Sequence, residues 1–273
     1  MYSKAELQRM VESAGTWWHS IDLGQGVVTP GRKSARFLAK ELQSLQLPDL
    51  AARSVLDIGA FSGFYSFEAE RRGAARVVAL DHFVWSIDMP RFNEYLAQCA
   101  ASNTAPLMAE QTPHWQPDTL PGKKPFDLAH RALGSKVEAV VDDFMAMDLA
   151  RLGVFDVVLF LCVLYHMDNP LGALRRVARA TKDLAIIETH AVAVPGYERY
   201  EICEFYSGSQ LNSDPSNWWA PNLKALAGMC RAAGFSSVEI VHVQRSVARN
   251  RWWRALSPIK RPWGFRVVVH AYK

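Results

Sequence analysis

The sequence predicts an α/β protein built on a largely parallel sheet with helices on both faces. Three observations carry that prediction. Short apolar runs alternate with segments whose apolar residues recur at helical spacing, the pattern of repeated strand–helix–strand units. One such run, 54–58, passes through glycine-containing residues straight into a helical pattern. The last two strand-like runs, 238–243 and 265–272, have no helix between them and should be antiparallel neighbours.

The elements follow in order. Residues 4–14 read as a helix, and 17–31 (WWHSIDLGQGVVTPG) as an ordered loop. Residues 32–46 place Phe37, Leu38, Leu42 and Leu45 on one helical face, and Pro48 ends that element. A strand at 54–58 leads through the turn to a helix from about 64 to 72, stopped by Gly73. Residues 77–80 form a second strand. The long stretch 81–136 then holds helices near 90–101 and 126–134, separated by a polar, proline-rich loop at 105–125. A connection of that length is uncommon without a function. Further strands fall at 137–141, 157–161 and 184–188, and further helices at 171–180 and 223–233. The chain thus divides into an N-terminal helical cap or lid, 1–50, and a main domain, 51–273, with insertions at about 82–136, 191–222 and 245–264.

Composition narrows the class. The chain has 273 residues, of which 49% are hydrophobic and 21% charged, which excludes a disordered, collagen-like or coiled-coil chain. The longest apolar run, 157–165, has nine residues, half of a membrane span. No secretory signal or lipidation motif is visible, so a cytoplasmic protein without integral membrane association is expected. Cys99, Cys162, Cys203 and Cys230 are scattered and form no CxxC, so no metal is expected and a reducing compartment suits the chain. The net charge is +4, but residues 245–266 alone carry seven basic residues and no acid. A mildly acidic body with one basic, tryptophan-containing segment points to an anionic partner there, against the alternative of a solvated basic loop.

Four motifs carry chemistry, each at the carboxyl end of a strand where ligands bind in such sheets. In VLDIGAFSGFYSF, residues 55–67, Gly59 lets the backbone approach a ligand and Gly63 permits the turn into the helix. Asp57, just before the turn, can accept hydrogen bonds from an ammonium group or the turn amides. Phe61 occupies the second glycine position of a dinucleotide fingerprint, which counts against a nicotinamide dehydrogenase. Asp81, followed by His82, ends the second strand 24 residues after Asp57, where an acid holds ribose hydroxyls. Asp142, Asp143 and Phe144 end the third, where a carboxylate can accept from the adenine amine while the ring of Phe144 covers the base. The fourth strand ends near Cys162, followed by Leu164, Tyr165 and His166. Tyr165 and His166 are titratable groups placed for acceptor orientation or proton removal.

Together these motifs resemble those of the class I S-adenosylmethionine-dependent methyltransferases, over residues from about 54 to the C-terminus. The resemblance implies a Rossmann-like seven-stranded, mostly parallel sheet with helices on both faces and an antiparallel last strand. It implies S-adenosyl-L-methionine as cofactor, held by Asp57, Gly59 and Gly63 at its methionine part, by Asp81 and His82 at the ribose, and by Asp143 and Phe144 at adenine, with Cys162 beside them. WWHSIDLGQGVVTPG, VLYHMDNP and WWAPNLKALAGMCRAAGF resemble more narrowly the group related to tRNA wobble-uridine methyl- and carboxymethyltransferases, in which a tyrosine at the position of Tyr165 lies near the transferred group. The W-R-K-G-P-F stretch of the carboxymethyl enzymes is absent, so plain S-adenosylmethionine is expected.

The acceptor pocket is expected to draw on Trp17, Trp18 and His19 ahead of the first core helix, on Trp85 beyond the ribose acid, and on Trp218 and Trp219; Glu188, His190 and Glu204 could each orient a hydroxyl, behind Tyr165 and His166. Paired tryptophans offer stacking faces with an N–H handle; packing of a cap onto the core is the competing account. The leading expectation is O-methylation of a small-molecule or glycan acceptor by in-line transfer, with His166 as base. The alternatives are a methyltransferase for tRNA wobble 5-hydroxyuridine, with 245–266 tracking phosphates, and a non-catalytic binding protein at a membrane or partner surface, for which Trp252 and Trp253 speak.

Overall fold

The computed structural model describes residues 2–212, 214–244 and 263–273. They fall into two compact units, Met1–Asp156 and Val157–Lys273. A seven-stranded sheet has the order β3-β2-β1-β4-β5-β9-β8, with β1 Ser54–Ile58, β2 Arg76–Asp81, β3 Glu138–Val141, β4 Phe155–Leu161, β5 Thr181–Ala193, β8 Ser237–Gln244 and β9 Trp263–Tyr272. The last strand is antiparallel to its neighbours, as expected.

In the first unit, α1 (Lys4–Ser13) starts at Ser3, whose hydroxyl and backbone N–H share the Glu6 carboxylate in a capping box. α2 (Ala35–Leu45) is capped by Ser34 and buries Leu38 and Leu45. β1 pairs in parallel with β2, setting Asp57 opposite Ala79, and β2 pairs in parallel with β3. Buried on both faces, β1 and β2 read as continuous apolar runs rather than alternating ones. At the start of β1, the Ser54 hydroxyl and N–H both donate to Asp156. α3 (Phe64–Arg71) follows β1 directly. The long connection after β2 carries α4 (Met89–Ala101) and α5 (Lys124–Leu133). Its proline-rich middle folds back along 85–88: Asp88 N–H donates to His114, Gln116 N–H to Ser86 and Gly122 N–H to Trp85. The backbone is therefore satisfied inside the loop, which is how so long a connection stays ordered.

In the second unit, α6 (Pro170–Ala180) is capped by Asn169 and buries Leu174 and Val177. β5 runs for 13 residues, well past the expected 184–188, because β9 pairs with it from Leu184 to Ala193. β8 covers the other side of β9, with a bulge between Ile240 and His242. The segment read as an insertion at 191–222 contains a short ladder that the sequence did not reveal, β6 (Cys203–Phe205) against β7 (Trp219–Pro221). α7 (Leu223–Ala233) begins at Asn222, whose side chain accepts from Ala225 N–H and donates to the Tyr200 carbonyl. The expected insertion at 245–264 lies outside the described residues except for Trp263 and Gly264. Among the described residues, no helix is long and apolar enough to cross a membrane.

Candidate functional site

The first unit builds a candidate ligand site from the turn between β1 and α3. Gly59 is exposed, with φ of 79°, and its N–H donates to the Leu80 carbonyl. Gly63 has φ of 84°, and a Cβ there would lie 2.6 Å from the Phe67 ring, so this position demands glycine twice over. Between them Phe61 is held in the left-handed region, φ 53°, by three partners. Its N–H donates to Asp81 Oδ2 at 2.9 Å, its carbonyl accepts from Trp85 Nε1 at 2.7 Å, and its ring stacks on Trp18 at 5.6 Å.

Two carboxyl groups are buried beside this turn, Asp57 at 2% exposure and Asp81 at 5%. The Ser66 hydroxyl donates to Asp57 Oδ2 at 2.6 Å. Burial raises the Asp57 pKa to about 7 against the pull of that hydroxyl, with the Asp81 charge adding to the rise. Burial raises Asp81 to about 6, against the backbone N–H groups of Phe61 and Val84. Neither carboxylate is ion-paired to a basic residue among the described residues.

The other residues expected in this unit have definite places. Trp85 is wholly buried, its indole N–H committed to Phe61 and its ring against Phe126, so it buttresses the turn from behind. Trp17 is buried at 2% exposure and donates to the Val11 carbonyl, which ties the loop to α1. His19 is buried, with Nδ1 2.8 Å from Ser62 Oγ and its ring against Phe64, and burial pushes its pKa well below the ordinary range. Trp18 is half-buried, with the Arg32 guanidinium over its ring. His82 meets Trp115 edge-on. Asp143 is exposed and accepts from Met145 N–H, capping its own turn, while Phe144 is buried.

The second unit assembles a charged cluster at the carboxyl end of β4. Cys162, immediately after β4, is also in the left-handed region at φ 62°, and its N–H donates to the Glu188 carbonyl. Arg266 of β9 forms a bidentate ion pair with Glu188 of β5. Cys162 Sγ lies 3.1 Å from Glu188 Oε2 and 2.9 Å from an Arg266 nitrogen. The guanidinium also lies over the Tyr165 ring at 4.9 Å. Tyr165 is buried, and burial pushes its hydroxyl far above the usual phenol range, so it remains a protonated donor rather than a base. His166 Nδ1 is 2.9 Å from Ser216 Oγ and 3.0 Å from the Ser216 carbonyl. Burial lowers its pKa, against the Asp214 charge. Trp218 N–H donates to the Tyr165 carbonyl at 2.7 Å, which brings the 214–219 segment onto Tyr165 and His166. Trp219 Nε1 and Asn217 Oδ1 are buried without a hydrogen-bond partner among the described residues.

Residues 31–240 match the model of the family described as "Methyltransferase domain". The chain belongs to that family. Among curated proteins, this methyltransferase domain is 24% identical over 207 residues to a tRNA U34 carboxymethyltransferase of Idiomarina loihiensis, covering 75% of this chain and 52% of that protein. It is 22% identical over 236 residues to the one from Hydrogenovibrio crunogenus, covering 84% and 60%. The chain thus spans little more than half the length of these relatives. Among solved structures, it resembles the N-terminal domain of EvdMO1 with SAH bound, at a TM-score of 0.64 and 16% identity, covering 100% of this chain and 98% of that one. The same domain in the presence of SAH and D-fucose matches at a TM-score of 0.62.

Arg266 is the member of the methyltransferase domain's charged cluster that sequence reasoning missed. It lies 78 residues from Glu188 and closes a basic run, so charge pattern assigned it to a segment facing an anionic partner or solvent. The signal that could have found it is the alternation Phe265, Val267, Val269 in an apolar strand, which places Arg266 on the opposite face of a strand paired on both sides.

Proposed function

We propose that this methyltransferase domain transfers a methyl group from S-adenosylmethionine to a hydroxyl of a small-molecule or glycan acceptor. The observation that carries the cofactor is the exposed Gly59 turn with Asp57 and Asp81 buried beside it and ion-paired to no basic residue among the described ones. Such a pair of acceptors suits a ligand with an ammonium group and a vicinal diol. When bound, S-adenosylmethionine supplies a methyl group already activated by its sulfonium. Asp57 and the amides around Gly59 and Gly63 hold the amino-acid part, Asp81 with His82 accepts the ribose hydroxyls, and Phe144 with Asp143 or Asp142 covers the adenine. Phe61, fixed by Asp81, Trp85 and Trp18, keeps the turn in one conformation, so no ordering cost falls on binding. Cys162 fixes Glu188 and Arg266.

On the acceptor side, Tyr165 and His166 hold the 214–219 segment, and Trp218 and Trp219 offer aromatic faces. Trp219 Nε1 and Asn217 Oδ1, without a partner among the described residues, support a polar acceptor, since buried donors and acceptors are costly without one. The likeness to a domain crystallised with SAH and D-fucose supports a sugar hydroxyl. The second reading is a tRNA wobble uridine, favoured by the printed names of the curated relatives and by the basic run 245–266.

The test is transfer of labelled methyl from S-adenosylmethionine into an extract of the source cell, with and without ribonuclease. Label in a ribonuclease-resistant small-molecule or glycan fraction is expected. Label lost to ribonuclease, with transfer falling steeply as salt rises, would replace this reading with the tRNA one.

A further inference from the structure

We infer that His19 is a positioning residue for the methyl donor: through Ser62 it holds the turn between β1 and α3 in its binding conformation. The inference rests on the reading above of that turn as the donor site and adds what fixes it. Sequence pattern makes His19 a candidate for the acceptor wall, yet it is only 4% exposed and is bonded into the first unit. Ser62 lies between Gly59 and Gly63 and is wholly buried. Its hydroxyl makes one hydrogen bond among the described residues, with His19 Nδ1 at 2.8 Å. Its backbone N–H makes none among them. A free amide serves a ligand only when its direction is fixed, and the anchored hydroxyl fixes it.

An anchor must itself be held. Residues 17–33 close on themselves: Lys33 N–H donates to the Trp18 carbonyl, Ser20 N–H to the Lys33 carbonyl and Thr29 N–H to the Ile21 carbonyl. The Thr29 hydroxyl donates to the His19 carbonyl at 2.7 Å. A Cβ at Gly31 would lie 2.1 Å from the His19 carbonyl carbon, so glycine is needed where the two backbones pass. Lys33 ties the loop to α2 through Glu41, which also accepts from the Tyr65 hydroxyl of α3.

Two consecutive loop residues thus grip two consecutive turn residues. Trp18 stacks on Phe61, and His19 bonds Ser62. The stack limits a ring, whereas the hydrogen bond is directional and sets the angle of Ser62. The His19 ring is itself packed on Phe64 at 5.6 Å and meets Phe61 and Tyr65 edge-on. Burial, with the Lys33 charge adding to it, keeps the ring neutral. A neutral imidazole has one donor and one acceptor nitrogen, so Nδ1 can bond the hydroxyl in either sense.

The test titrates S-adenosylhomocysteine into the full chain by calorimetry for wild type, H19F, H19N, S62A and the double change H19F with S62A, with urea midpoints measured alongside. H19F keeps a ring against Phe64 and removes the hydrogen bond, whereas H19N keeps a hydrogen-bonding group and removes the ring. H19F and S62A should each weaken binding about three- to tenfold, the worth of one hydrogen bond. The double change should bind no more weakly than the weaker of the two, because both remove the same bond. H19N should recover binding to within about twofold of wild type even as its urea midpoint falls with the lost packing. H19F and S62A proteins with lowered midpoints and wild-type affinity would make the pair merely structural and overturn the inference. So would an H19N protein that binds as weakly as H19F, or single losses that multiply in the double change. D57N, titrated in the same series, separates the two readings. If D57N also binds as wild type does, the donor-site reading fails and this inference with it; if D57N alone binds weakly, only the role of His19 fails.

Discussion

The two units treat buried charge in opposite ways. In the first, Asp57 and Asp81 are buried and ion-paired to no cation among the described residues, and their pKa values rise. In the second, Glu188 is locked to Arg266, and the guanidinium stays charged because carboxylate, thiol and phenol surround it. An acid left without a counter-charge is poised for a cationic ligand, whereas a closed ion pair is a fixed part of the scaffold. The same substitution logic should therefore have opposite signs in the two units.

The largest effect is expected at the closed pair. Arg266→Met should cost about 3–5 kcal/mol, because it takes the guanidinium away from the buried Glu188 carboxylate. The double change E188Q with R266M should recover much of that loss, since no unpaired charge remains. Urea denaturation of the three proteins measures it. A single-variant cost below about 1 kcal/mol would mean that the pair behaves as a solvated surface bridge and that the contrast between the units is void.

At Asp57 the sign reverses. A carboxyl group whose pKa is raised to about 7 in the folded state binds more protons there than in the unfolded chain. The ligand-free protein should therefore lose stability as the pH rises from about 4 to about 7, and change little from this group above that. D57N keeps a hydrogen-bonding partner for Ser66 and removes that dependence, so it should melt no lower than wild type at pH 7.5. Its affinity for S-adenosylhomocysteine should nonetheless fall tenfold or more, since in the proposed function the carboxylate pairs with the ligand ammonium. In the wild type, affinity should climb across the same window as Asp57 ionises. Calorimetry from pH 5 to 8 checks both statements, and a D57N protein of unchanged affinity would remove Asp57 from the ligand site.

What was legible in the sequence follows from range. Asp57, Gly59, Gly63 and Asp81 could be picked out because a strand, a positive-φ turn and a helix start are written within a few residues of each other. The antiparallel last strand was legible from the missing helix between 238–243 and 265–272. The β6–β7 ladder was not, because three-residue strands carry no usable alternation. Trp17 and Trp85 read as candidate ligand faces, yet their indole N–H groups bond to Val11 and Phe61. Only tertiary structure distinguishes a tryptophan that braces a turn from one that faces a ligand. Arg266 was hidden for the same reason: its partner is distant in sequence, and it closes a basic run.

The smallest effect should come from the one feature the two units share. Each places a non-glycine residue in the left-handed region just beyond a strand, Phe61 at φ 53° and Cys162 at φ 62°. Such a conformation costs about 1–2 kcal/mol for an L-residue. At Phe61 the ring stack on Trp18 returns about 0.5–1.5 kcal/mol, and the two bonds to Asp81 and Trp85 use backbone atoms that glycine retains. Phe61→Gly should therefore leave stability within about 1 kcal/mol of wild type, the relief of strain offsetting the lost ring. Cys162→Gly should cost more despite the same relief, because the thiol touches both Glu188 and Arg266. Denaturant midpoints of the two variants decide the matter. A Phe61→Gly protein weakened by well over 2 kcal/mol would show that the ring, and not the backbone bonds, holds the turn.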